Sequence, residues 1–98
     1  MRPELAKHDI LVRELNQTPC VWMGRVEQDD GMVEVQLGFS RDNLATQVEA
    51  IREMTPQFYL TECFPHADPK NALIRMHDRL SNAGVKLNKV YFPGTVDT

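Results

Sequence analysis

From Val33 to Phe39 the chain alternates: Val33, Val35, Leu37 and Phe39 are apolar, while Glu34, Gln36 and Gly38 stand between them. That period of two is the pattern of a half-buried strand. The period then lengthens. Leu44, Val48 and Ile51 recur at helical spacing after a polar Ser40-Arg41-Asp42-Asn43 connection rich in capping side chains. A helix from about Asn43 to Met54 is predicted, closed by Thr55-Pro56. Gln47 falls between Leu44 and Ile51 on the inward edge of this helix. Gln36 and Gly38 share the strand face opposite the apolar one.

The same reading extends to both sides. Leu5, Leu11, Val12 and Leu15 give an imperfect apolar stripe that predicts a helix over Pro3 to Asn16, ended by Thr18-Pro19. Cys20 to Val26 has the β-branched and aromatic bias of a strand, and Asp29-Asp30-Gly31 is a hairpin turn signal. Phe58 to Phe64 predicts a third strand. Asp68-Pro69 opens a further helix, with Asp68 as N-cap and Pro69 in the first turn. Leu73, Met76, His77 and Leu80 share one face of it, and Gly84 is placed to cap its end. Val85-Lys86-Leu87 reads as a short edge segment and Tyr91-Phe92-Pro93-Gly94 as an apolar plug. The order predicts an α+β fold: a small, three-stranded, mostly antiparallel sheet flanked by helices. Residues 1–98 form one domain in this reading, an N-terminal helix (1–17) added to a core at 20–94.

Composition narrows the function classes. Ninety-eight residues, 42% hydrophobic and 26% charged, suit one globular domain. No apolar run reaches the ~20 residues of a membrane span, and the N-terminus lacks the basic-then-apolar profile of a signal peptide. A cytoplasmic protein without membrane partners is the expectation. Cys20 and Cys63 stand apart without a C-x-x-C, so the sequence offers no zinc site; core thiols are expected, with a disulfide geometrically possible only if their strands are neighbours. The net charge of −3 is unevenly spread, about −5 over residues 1–64 and +2 over 65–98. Proteins that grip nucleic acid unaided need phosphate-neutralising charge, which this chain has little of.

From Cys20 onward, the element order and several short strings resemble the GIY-YIG endonuclease superfamily, in its compact phage and bacterial branch. The strings are Leu37-Gly38-Phe39-Ser40 at the end of the second strand and Lys89-Val90-Tyr91-Phe92-Pro93-Gly94 at the close. The resemblance implies a GIY-YIG-like fold and, in an active member, a glutamate-held divalent metal, an arginine on the phosphate and hydroxyls orienting water. It carries the family positions onto Trp22, Gln36, Gln47, Leu73 and His77. Trp22 has no hydroxyl, Gln47 cannot make a charge-assisted fork to phosphate, and Leu73 cannot bind metal. Only His77 matches.

The expectation is therefore a non-catalytic binding protein acting on a protein of DNA-processing, restriction or defence machinery, with no cofactor. Glu27, Asp29, Asp30 and Glu34, flanked by Met23 and Met32, are the candidate acidic docking surface. One alternative is a nucleic-acid-binding module using Lys70, Arg75, Arg79, Lys86 and Lys89. A second is a metal-dependent DNA endonuclease requiring magnesium or manganese.

Overall fold

A computed structural model describes residues 3–85 and 87–91, with the backbone alone at 88 and 89. Among these residues the order is α1 (Pro3–Leu15), β1 (Cys20–Glu27), β2 (Val33–Ser40), α2 (Leu44–Met54), β3 (Phe58–Pro65), α3 (Pro69–Asn82) and β4 (Leu87–Tyr91). The fold is α+β. Its sheet has four strands in the order β3-β1-β2-β4, not three. β1 pairs antiparallel with both β2 and β3, and β4 pairs parallel with β2, so the sheet is mixed. Leu87 of the expected edge segment and Tyr91 of the expected plug thus belong to one strand, whereas Lys86, Phe92, Pro93 and Gly94 lie outside the described residues.

Strand alternation sends neighbouring side chains to opposite faces, and both faces are covered. On one, Cys20, Trp22, Val26, Phe58, Leu60 and Tyr91 pack with Leu44, Val48 and Ile51 of α2, and Leu11, Val12 and Leu15 of α1 close over them. On the other, Val21, Leu37 and Phe39 pack with Leu73, Ala72, Met76 and Leu80 of α3. The face of β2 that carries Gln36 and Gly38 is therefore buried, although the alternation marked it as the polar side. Gly38 is there because Trp22 lies across it: a Cβ at this position would stand 2.2 Å from Trp22 Cζ2.

Several helix ends are secured differently from the expectation. Asn43 and Asp68 hold the N-cap positions of α2 and α3, but neither side chain makes a capping bond. For α2 the cap comes from the end of α1: Ala45 N–H donates to Asn16 Oδ1 at 2.7 Å, and Leu44 N–H to the Asn16 carbonyl at 3.2 Å. Asp68 Oδ2 instead accepts from Asn71 Nδ2 at 2.6 Å, which holds its carboxyl below the usual range. Gly84, with φ +85°, follows α3 as expected.

The exposed edge of β3 is guarded by α1. His8 is buried, and its Nδ1 accepts the Leu60 N–H at 2.9 Å, which answers an edge-strand donor. Burial, then the nearby Arg52 charge, lowers the His8 pKa from its ordinary 6.5. The folded state therefore holds a neutral ring while the unfolded chain takes up a proton below about pH 6.5, so stability falls as pH drops through that value toward the lowered folded pKa. Urea midpoints measured at pH 7.5 and pH 5 should differ by more in the wild type than in His8→Asn, whose amide oxygen is an acceptor that does not titrate. Equal pH dependence in the two proteins would contradict this assignment.

Candidate functional site

The five positions supplied by the family resemblance do not share a groove. Trp22, Gln36 and Gln47 lie on the face covered by α1 and α2, whereas Leu73 and His77 belong to α3 across the sheet. Trp22 and Leu73 are core residues, 0% and 1% exposed. Trp22 Nε1 donates to Gln47 Oε1 at 3.1 Å in a buried bond, so the amide at the arginine position serves the fold. His77 is half-buried, with Nδ1 3.9 Å from Asp78 Oδ1, beside a small apolar groove lined by Leu73, Ile74 and Val90.

The candidate basic face is also dispersed. Lys70, Arg75 and Arg79 are exposed on α3. Arg75 and Arg79 stand one turn apart, but Lys70 lies about 140° round from Arg75. Lys86 lies outside the described residues. Lys89 is opposite Gln36 in the β2–β4 pairing, its side chain outside the described set.

Cys20 and Cys63 prove to be on neighbouring strands, with Cys63 opposite Trp22. Both thiols are free. A hydrogen bond to Cys20, and then burial, pushes the Cys63 thiol up. His66 Nδ1 accepts the Asp68 N–H at 2.9 Å. Among the described residues no group of three or more His, Cys, Asp or Glu side chains could hold a metal ion, and no helix is long and apolar enough to cross a membrane.

The acidic hairpin, by contrast, brings three of its four carboxylates to one cavity. Gln28 N–H donates to the Met32 carbonyl at 2.9 Å and Gly31 N–H to the Gln28 carbonyl at 3.0 Å, turning the chain tightly. Gly31 takes φ +85°, which a residue with a Cβ rarely adopts. Asp30 is spent on this turn, its Oδ1 accepting from Met32 N at 2.9 Å. Glu27, Asp29 and Glu34 instead line an open cavity of about 270 Å³ with Val26, Gln28 and Gln36 on one side and Thr55 and Gln57 on the other. It lies where the end of the β1–β2 hairpin meets the C-terminal end of α2.

Three features set its electrostatics. Glu27 Oε1 accepts the Tyr59 hydroxyl at 3.0 Å; burial first, then the bond and charge of Glu27, raises the Tyr59 pKa. Glu34 accepts from the Gln28 side-chain amide. Thr55 directly follows α2, so the negative end of that helix's dipole adjoins the carboxylates. Gln36 completes the wall: it is 3% exposed, and its buried Oε1 has no hydrogen-bond partner among the described residues. Met32 on the hairpin is 65% exposed, and Met54, which precedes Thr55 at the end of α2, is 67% exposed. Met23, in contrast, is half-buried against the α3 side.

The hairpin acids were visible in the sequence. Gln28, Thr55, Gln57 and the Tyr59 support were not singled out, because they join the site only once α2 folds back over the hairpin. No protein-family model, curated protein or solved structure matches this chain.

Proposed function

We propose that this chain is a non-catalytic binding protein whose acidic hairpin end docks a basic segment of a protein partner. The observation that carries the reading is the convergence of Glu27, Asp29 and Glu34 on one cavity beside the C-terminal end of α2, with Met32 of the hairpin and Met54 of α2 exposed. Clustered carboxylates attract a cationic partner and repel phosphate. Exposed methionine side chains supply the apolar contact that a purely electrostatic encounter lacks. Following the GIY-YIG-like element order, the partner belongs to DNA-processing, restriction or defence machinery, and the separation of Gln47 from Leu73 and His77 supports binding without catalysis.

The test is calorimetry with a ten-residue peptide of alternating arginine and serine as the basic probe, and a DNA duplex as the control. The peptide should bind at low salt and weaken as salt screens the charges. In the triple variant Glu27→Gln, Asp29→Asn, Glu34→Gln, affinity should fall about tenfold or more, since each exposed pair contributes up to ~1 kcal/mol. Unchanged peptide affinity in that variant would refute the docking surface. Duplex affinity that falls when Arg75 and Arg79 become glutamate would favour the α3 face instead.

A further inference from the structure

Independently of the docking surface, we propose that Cys20 and Cys63 are a redox pair. A small-molecule disulfide such as oxidised glutathione converts them to an intrachain disulfide that staples β3 to β1. The ground is their placement. In the β1–β3 pairing Cys20 stands opposite Pro65 and Cys63 opposite Trp22, so the two lie diagonally across one face of adjacent strands. Both belong to the core cluster under α1 and α2, and their side chains share a hydrogen bond. Diagonal neighbours sit about 7–8 Å apart at Cα, whereas a disulfide takes roughly 4.4–6.8 Å, so closing the bond needs a shift of about 1 Å. β3 can supply it. It is an outer strand of the sheet, and its register against β1 already slips between Met23 and Gly24.

The two sulfurs differ in access, which sets the order of events. Cys20 is 0% exposed, whereas Cys63 is half-buried and reached in part by solvent. Their hydrogen bond favours the singly ionised pair: it lowers the Cys20 thiol against the opposing effect of burial and, with burial, raises Cys63. A proton moving along that bond leaves the thiolate on Cys63, the sulfur an oxidant can meet. That thiolate attacks one sulfur of the oxidant, the oxidant's S–S bond breaks, and one thiolate departs. Cys20 then attacks the Cys63 sulfur of the mixed disulfide and expels the second thiolate. The two thiol protons end on the departing groups. The chain loses two electrons, and the oxidant is reduced to two thiols.

The experiment incubates the folded full chain with oxidised glutathione and reads intact mass, a peptide map and the urea midpoint. The expected product is a monomer lighter than the reduced chain by two hydrogens, with Cys20 and Cys63 linked. It should unfold at a higher urea concentration, because the link closes a long loop of the unfolded chain, and return to the starting midpoint on reduction with dithiothreitol. Cys20→Ala should stop at the mixed disulfide on Cys63, and Cys63→Ala should stay unmodified. A wild-type chain that stops at the mixed disulfide, cross-links to a second copy, or reacts only once unfolded in urea would overturn the proposal. So would a linked chain with a lower urea midpoint, since the bond would then form only by distorting the sheet.

Discussion

Trp22→Ala is expected to lower the unfolding free energy by about 3–5 kcal/mol, a large share of the ~5–15 kcal/mol that stabilises domains of this size. Trp22 is fully buried. It meets Phe58 edge-on, with centroids 5.6 Å apart at 74°, and stacks on Tyr91 at 5.7 Å and 28°. Its indole N–H is also the donor to Gln47. Truncation therefore leaves a cavity between two aromatic rings and a second buried glutamine without a partner. Trp22→Phe separates the two effects: it keeps a ring in place but strands the Gln47 oxygen, which should cost about 1–3 kcal/mol. Urea unfolding followed by circular dichroism measures both. A loss below about 1 kcal/mol for the alanine variant would mean that Trp22 does not organise this core.

Gly38→Val should be about as damaging, at about 3 kcal/mol or more of overpacking. Three ring atoms of Trp22 would lie 2.2–2.8 Å from the new Cβ. The ring has no free direction to retreat, since Phe58, Tyr91 and Gln47 hold it from other sides. The two positions must then be coupled. Gly38→Ala should cost markedly less in a Trp22→Leu background than alone, a non-additivity that a double-mutant cycle reads directly. Strictly additive costs would show that the glycine serves something other than the indole.

These two residues also show what the amino-acid pattern can and cannot reveal. The alternation over Val33–Phe39, the Asp29-Asp30-Gly31 turn and the helical spacing of Leu44, Val48 and Ile51 placed β2, the hairpin and α2 to within a residue or so. Those signals are local. That Gly38 faces an indole, and that the Gln36 face is buried, depends on a register between strands that no local pattern states. β4 escaped for a similar reason. Leu87, Val90 and Tyr91 do not alternate, and their parallel partner β2 lies far back in the chain, so they divided into an edge segment and a plug. The caps of α2 came from Asn16, likewise remote in sequence.

The candidate site divides along the same line. Its carboxylates sit together on one hairpin, where sequence proximity and spatial proximity coincide. The alternation put Gln36 on the polar face of its strand; its burial arises only when α2 covers that face. The family-derived positions fared differently because α2 and α3 cover opposite faces of the sheet. Helix faces can be read from periodicity, but the side of the sheet on which each helix lands is a property of the connections.

The docking claim is tested most directly by titrating the isotopically labelled chain with the arginine–serine peptide and mapping the backbone amide shifts. The expected result is a contiguous set of shifts over residues 27–36 and 54–57, fading as salt is raised, with α3 unmoved. Shifts concentrated on α3, or no saturable shift at low salt, would contradict it.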